Sequence, residues 1–284
     1  MICDANEVVL KEAVIRLKRA EKIMGTDVLY MNGPMLNGLE NIFKDYIEDL
    51  RANSRSTALS IFLTTTGGSA EVVERMVNIV RYNYREVNFV IPDYAYSAGT
   101  IFCMSGDSIL MDYSSVLGPI DPQVQTKDGK MASALGYLDR IKELLERAKE
   151  KDFTEAEYLI LKEFDHAEIK LYEQARDLTV DLLKKWLVTY KFKNWEKHTS
   201  TGLPVTEDEK KERAEDIARD LGNYSKWKSH GRPISIEDLS ILKLKIDDYS
   251  DKMELRTAIQ HYYGLATDYM QKNRMEFFLQ TRRK

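Results

Sequence analysis

The sequence predicts an α/β fold built from parallel strand–helix units and followed by a largely helical C-terminal half. Short apolar runs rich in β-branched residues predict buried strands, which lie at 27–31, 57–63, 87–91 and 108–111. Apolar residues at helical spacing predict helices at 6–24, 36–50 and 97–104, and a further helix capped by Ser69. Because strand and helix alternate in short periods, parallel βα units are expected.

Past residue 131 the pattern changes to long amphipathic helices. These are predicted at 132–150, 155–190, 207–221 and 251–278, with a polar break at 197–204. We therefore predict a first domain at 1–150, an α/β core with an N-terminal helix. The remainder, 151–284, is predicted to be a helical extension that packs on this core or serves in oligomerisation.

Composition excludes several classes of protein. The net charge of −4 disfavours binding to a nucleic-acid backbone, which needs a basic surface. No window approaches eighteen consecutive apolar residues, so no membrane span is expected. The two cysteines, Cys3 and Cys103, show no metal-ligand spacing, and no cofactor or metal is predicted. The low cysteine count favours a reducing compartment, so a cytoplasmic location is expected. The N-terminus lacks the basic start and apolar core of a signal peptide.

Two short motifs carry the chemistry. Gly67-Gly68-Ser69 closes one predicted strand, and Tyr96-Ser97-Ala98-Gly99 follows the next. The carboxyl ends of neighbouring parallel strands meet at one edge of a sheet, where ligands bind in α/β proteins. A serine hydroxyl beside free backbone N–H groups could attack a carbonyl and hold the oxyanion. Two simpler interpretations stay open: Ser97 as a helix N-cap, and the glycine pair as a tight turn.

The sequence resembles a known family through three motifs and their order. These are Thr65-Thr66-Gly67-Gly68, Tyr96-Ser97-Ala98-Gly99-Thr100 and Leu117-Gly118-Pro119-Ile120-Asp121-Pro122-Gln123. They are similar to those of the serine dehydrogenase proteinase family, related to the Clp protease proteolytic subunit and signal peptide peptidase A. The similarity covers about residues 25–150, with a fainter echo at 229–234.

The resemblance implies a fold, an activity and a set of roles. It implies repeated ββα units in the Clp/crotonase arrangement, a peptide or protein substrate, and a homo-oligomer. It also implies Ser97 as nucleophile, with the N–H groups of Gly68 and Ala98 as the oxyanion hole and Gly67 in support.

The proton acceptor is the open question, because no histidine occurs before His166, whereas Clp-type enzymes carry one shortly after the nucleophile. One candidate is Lys130, which would need burial to lower its pKa and could equally be a solvated loop lysine; Lys127 is a poorer version. The other is His230, which could instead end a helix capped by Gly231. Asp121 could orient a base or simply belong to a turn.

The predicted function is therefore a serine hydrolase, and the resemblance makes it a peptidase. Two alternatives remain. The missing histidine favours a catalytically inactive scaffold or interaction protein. A crotonase-like acyl-CoA enzyme would share the paired oxyanion N–H groups, although no carboxylate or nucleotide-binding motif marks it.

Overall fold

The computed structural model describes residues 4–125, 129, 131–150, 152–198 and 201–284. The strands are β1 Asp27–Asn32, β2 Ala58–Thr64, β3 Glu86–Ile91, β4 Tyr94–Ala95, β5 Ser108–Met111, β6 Val116–Leu117, β7 Gln123–Gln125, β8 Met131–Ser133, β9 Asp247–Asp248 and β10 Phe278–Gln280. The helices are α1 Ala5–Met24, α2 Leu39–Ala52, α3 Ala70–Asn83, α4 Ala98–Cys103, α5 Ala134–Lys149, α6 Glu155–Lys162, α7 His166–Trp186, α8 Glu207–Leu221, α9 Tyr224–Trp227, α10 Ile236–Ile241 and α11 Met253–Lys272. A π-helical turn, Leu187–Lys191, extends α7.

The main sheet has six strands in the order β10-β1-β2-β3-β5-β9. All neighbours pair in parallel except β10, which runs antiparallel to β1. The register places Leu29, Ile61, Phe89 and Ile109 side by side. Such runs of fully buried apolar residues are typical of a parallel sheet covered on both faces. The predicted α/β fold class is confirmed.

Helices cover both faces of this sheet. The face that carries Leu29 and Ile61 packs against a cluster from α2, α3, α4 and α7. On the opposite face, Tyr30 and Phe62 pack against α1 and α11, and the Tyr30 ring meets that of Tyr262 edge-on at 5.0 Å. Because side chains alternate along a strand, each strand feeds both layers of the core.

The C-terminal half contributes strands to the main sheet, which its helical sequence pattern does not indicate. Both edge strands, β9 and β10, come from it. The division of the chain at residue 150 stays a prediction about domain organisation, and the sheet draws strands from both sides of it. No helix in the described ranges is long and apolar enough to cross a bilayer.

Two predicted helices differ in extent from those observed. The predicted helix at 155–190 is broken, because α7 starts anew where the Asp165 carboxylate accepts the Ala167 N–H at 2.7 Å as an N-cap. The predicted helix at 251–278 ends at Lys272, and Phe278 opens strand β10 instead.

A second, smaller ladder lies beyond the ends of the main strands and organises the site. It joins Met35 to Gly68, Thr65 to Ala95, Ala95 to Leu117, and Leu117 to Ile234. The first three pairings are parallel and the last is antiparallel. We call this set of short segments the site ladder.

Candidate active site

The site ladder brings distant segments to one edge. Residues that follow Thr65, Ala95 and Leu117 leave the ladder at the same end, because these segments run parallel. The segment through Ile234 runs the other way, so the residues that precede it arrive at that same end. The motifs containing Gly68, Ser97 and Asp121, and the loop containing His230, therefore gather at this edge.

Ser97 has an unusual backbone conformation. Its φ of 52° and ψ of −118° are those of the first central residue in a type II′ turn, which favours glycine. The Gly99 N–H closes this turn on the Tyr96 carbonyl at 2.8 Å. Such a conformation at a non-glycine residue stores strain and is concentrated at functional sites.

The Ser97 hydroxyl forms no hydrogen bond with any described residue. Ser97 occupies the N-cap position of α4, yet its side chain makes no capping hydrogen bond. Ser69 at the head of α3 provides the contrast, since its hydroxyl accepts the Val72 N–H at 3.1 Å. Ser97 therefore occupies the N-cap position, as one interpretation of the sequence expects, but its hydroxyl does not form the capping hydrogen bond. The half-buried hydroxyl is available for another role.

Glycine is required at positions 67 and 68 for two reasons: both residues have a positive φ, and neighbouring atoms lie too close to leave room for a Cβ. Gly67 has φ of 103°, and a Cβ built there would lie 2.8 Å from the Ser97 Cβ and 3.2 Å from the Ala98 nitrogen. At Gly68, with φ of 149°, a Cβ would lie 2.2 Å from the Met35 carbonyl oxygen. Any side chain at either position would push the ladder apart, so the backbone of this turn lies directly against Ser97.

Two backbone amides at this edge are left without acceptors in the described part of the chain. The Met35 N–H donates to the Gly67 carbonyl at 2.8 Å, and the Ser69 N–H donates to the Met35 carbonyl at 3.0 Å. Because backbone groups alternate in direction along such a ladder, the intervening Gly68 N–H points away from Met35. The Ala98 N–H opens α4 and also has no intrahelical acceptor. These are the two donors that the family resemblance implies for an oxyanion hole.

A buried threonine locks the Ser97 turn to the Asp121 loop. The Thr100 Oγ1 lies 2.8 Å from the Ala95 carbonyl and 2.9 Å from the Gly118 carbonyl, and it accepts the Gly118 N–H at 3.0 Å. Gly118 itself packs flush on Tyr96, where a Cβ would come within 2.4 Å of the ring. Thr100 and Gly118 belong to the motifs identified in the sequence, but the sequence did not predict that they would bridge these segments.

His230 is paired with Asp121. The His230 Nδ1 lies 2.8 Å from Asp121 Oδ1, and the Gln123 Nε2 donates to the other carboxylate oxygen at 2.8 Å. Asp121 is 1% exposed, whereas His230 is 27% exposed. A carboxylate acceptor at Nδ1 assigns the proton to that nitrogen and leaves Nε2 as a basic lone pair. Gln123, which holds the carboxylate, was missed as a site residue by sequence reasoning.

The local setting of His230 differs from the helix end considered from the sequence. Helix α9 ends earlier, at Trp227, and its C-cap Lys228 adopts the left-handed conformation with φ of 63°. His230 lies in the loop between α9 and Ile234, whose N–H and carbonyl both bond to Leu117. The loop is thus fixed to the site ladder close to the imidazole.

Lys130 and Lys127 lie outside the described residues. No hydrogen bond joins the Ser97 hydroxyl to His230 in the described part of the chain. Burial raises the pKa of the Cys103 thiol, so the thiolate form needed for nucleophilic attack is disfavoured. No group of three potential metal ligands occurs among the described residues.

Comparison with known proteins adds the family. A model of the family described as ClpP-like SDH-type serine proteinase matches residues 43–209. Two uncharacterized proteins of Methanocaldococcus jannaschii, MJ0137 and MJ1495, are 28% and 27% identical to the chain over 81 residues. Each of these matches covers 28% of this chain and 28% of the relative's length.

The solved structures with a similar backbone trace have lower sequence identity to this chain. A mutant of the 1510-N membrane-bound stomatin-specific protease aligns with a TM-score of 0.48 at 13% identity, covering 82% of this chain and 84% of that one. ClpP1 from Listeria monocytogenes aligns with a TM-score of 0.44 at 11% identity, covering 80% and 94%. The family match spans more than half of the chain and includes the motifs at Gly68, Ser97 and Asp121. The chain therefore belongs to the family of ClpP-like SDH-type serine proteinases.

Proposed function

We propose that the protein is a serine peptidase in which Ser97 is the nucleophile and His230 the general base. Asp121 orients the imidazole, and the N–H groups of Gly68 and Ala98 form the oxyanion hole. One observation carries this proposal: a strained serine without a capping hydrogen bond, two unengaged amides and a buried carboxylate bonded to a histidine gather at one edge of the site ladder.

The proposed chemistry follows from these groups. As the Ser97 Oγ bonds to the substrate carbonyl carbon, its proton passes to Nε2 of His230. The new imidazolium keeps its Nδ1–H on Asp121, which stabilises the charge. The carbonyl oxygen becomes an oxyanion held by the two amides. The proton then passes to the leaving amine as the peptide C–N bond breaks. Water next attacks the carbonyl carbon of the acyl-serine and gives a proton to Nε2 of His230; the ester bond to Ser97 then breaks as Oγ takes that proton, and the carboxylic acid leaves.

Lys130, the other candidate base identified from the sequence, remains the alternative. The two assignments predict different mutants. With His230 as base, His230→Ala lowers kcat/KM by about 10²–10⁴-fold, and Lys130→Ala leaves it within about twofold. The reverse pattern would overturn the assignment to His230 while leaving Ser97 as nucleophile.

The first test is covalent labelling with a fluorophosphonate probe, followed by peptide mapping of the adduct. We expect the adduct at Ser97 and its loss in Ser97→Ala. Ser69→Ala is the matched control, because it also removes a serine hydroxyl at the head of a helix, where that hydroxyl accepts the Val72 N–H and donates to the Glu71 carboxylate. It should still label. An adduct elsewhere, or undiminished labelling of Ser97→Ala, would refute the proposed nucleophile.

An inactive scaffold is the second candidate, and the unformed hydrogen bond between Ser97 and His230 favours it. A correctly folded protein that neither labels nor cleaves an unfolded protein such as casein would support the scaffold. The peptide substrate and homo-oligomeric state are also proposals; analytical ultracentrifugation of the full chain tests the second, and a monomer at micromolar concentration would contradict it.

A further inference from the structure

A large cavity adjoins the Asp121 loop. Its volume is about 930 Å³, and it lies between α5, α7, α8 and the segment that leads into α9. Ile120 and Pro122, the two neighbours of Asp121, form part of its wall. The cavity and the carboxylate–histidine pair therefore share one turn of backbone.

This shared turn is firmly held. The Ile120 N–H donates to the Leu221 carbonyl at 3.1 Å, which ties the turn to the end of α8. The Trp227 indole N–H donates to the Asp220 carbonyl at 2.7 Å and fixes the segment before His230 to the same helix end. A ligand held in the cavity would thus have a fixed position relative to the proposed site.

The cavity has a half-buried apolar lining, here called its floor, and a mostly exposed charged lining, here called its rim. Leu135, Leu138 and Val180 contribute apolar surface. Four carboxylates and two guanidinium groups also line the cavity: Asp139, Asp177, Asp181, Glu215, Arg176 and Arg219.

The cations of the rim are already engaged. Arg176 pairs with Asp177 at 2.8 Å, and Arg219 pairs with Asp216 at 2.5 Å. Glu215 has its own partner, because Lys184 lies 2.9 Å from it. The two carboxylates left over, Asp139 and Asp181, make no ion pair within the described ranges. The cavity therefore offers unneutralised negative charge above an apolar floor.

We infer that this cavity binds a segment of the peptide substrate that carries an arginine or lysine side chain. The aliphatic stem of such a side chain lies along the apolar floor, and its cationic head meets Asp139 or Asp181. The volume is that of a pocket for a ligand larger than a single side chain, so it accommodates the flanking residues as well. This inference rests on the proposed function for its substrate class, but its test uses binding alone.

The test measures binding to the full-length Ser97→Ala variant, which does not cleave the probe under the proposed mechanism. The probes are fluorescein-labelled octapeptides of alanine and serine with arginine, lysine, norleucine or glutamate at one central position. Fluorescence anisotropy should give Kd values about tenfold lower for the arginine and lysine peptides than for the norleucine peptide. The glutamate peptide should bind most weakly, and raised salt should narrow the differences.

A double substitution identifies the carboxylates responsible. Adding Asp139→Asn and Asp181→Asn should bring the ratio of norleucine to arginine Kd values close to one. The matched control adds Glu143→Gln and Glu168→Gln, which remove two charges from the same helices, α5 and α7, outside the cavity. It should keep the preference, and circular dichroism of both variants checks the fold.

Equal binding of the arginine and norleucine peptides by the Ser97→Ala protein would overturn the inference. A preference that survives the double substitution, or that disappears equally in the control, would also overturn it. These outcomes are separate from the fate of the catalytic proposal, because probe labelling at Ser97 is measured on the unsubstituted protein.

Discussion

Replacing Ser97 by glycine should stabilise the protein while it removes the proposed nucleophile. The φ of 52° and ψ of −118° at this residue belong to a region that glycine occupies easily and that other residues occupy under strain. Strain of this kind costs about 1–3 kcal/mol. Glycine in turn loses about 0.5–1 kcal/mol more conformational entropy on folding. The expected net gain in the free energy of unfolding is about 1 kcal/mol.

Ser97→Ala separates the backbone effect from the loss of the hydroxyl. Alanine retains the Cβ and therefore the strain, so it should give no comparable gain. Urea unfolding followed by tryptophan fluorescence and circular dichroism measures both variants, and the midpoints should differ with an unchanged slope. Neither variant should react with the fluorophosphonate probe.

An exposed position elsewhere provides the control for this comparison. Arg274 also has a positive φ, 53°, near the end of α11 and away from the site ladder. Arg274→Gly should be more stable than Arg274→Ala, because glycine adopts a positive φ without strain and alanine does not. If that control shows the gain while Ser97→Gly is no more stable than Ser97→Ala, the inference that Ser97 stores strain is wrong.

Three further substitutions test the framework of the fold. Arg282→Met leaves the Asp27 carboxylate, 4% exposed, without the guanidinium that lies 2.8 Å from it; a loss of about 3 kcal/mol is expected in urea, and a loss under about 1 kcal/mol would contradict it. Burial acts to raise the pKa of Asp107, but hydrogen bonds and the charge of Arg81 lower it overall. Its contribution to stability is therefore present above the ordinary carboxyl pKa and lost as pH falls through the lowered pKa, so Asp107→Asn should flatten the pH dependence of stability below about pH 4. If the stability of Asp107→Asn fell as steeply below about pH 4 as that of the unsubstituted protein, the ion pair between Asp107 and Arg81 would not be the cause of the acid sensitivity. Thr100→Val removes the hydroxyl that joins two segments of the site ladder and should cost about 1–3 kcal/mol together with most probe labelling, whereas full labelling would show that the bridge does not position the site.

The central strands and the two motifs were accessible from sequence because their signals are local. The runs that became β2 and β3 are continuous and apolar, as burial on both faces of a parallel sheet requires. The glycine pair and Ser97 stood out because small residues follow each run directly. The family resemblance drawn from these motifs is confirmed by the family match.

The features missed by sequence reasoning depend on contacts between distant residues. Strands β9 and β10 are two and three residues long, too short for any periodicity, and only the neighbouring strand makes them strands. The hydrogen bond between Asp121 and His230 joins residues 109 positions apart, so no local pattern could report it. The break before α7 was missed because the apolar periodicity continues across it, although α6 ends at Lys162 and the Asp165 N-cap begins a new helix.

The order of the site ladder along the chain has a consequence for biosynthesis. Ribosomes release Gly68, Ser97 and Asp121 well before Ile234 and the imidazole that precedes it, because synthesis runs from the N-terminus. With His230 as base, a nascent or prematurely terminated polypeptide carries the nucleophile with nothing to take its proton. Hydrolysis would then require that the segment around residue 234 has been synthesised and has paired with Leu117.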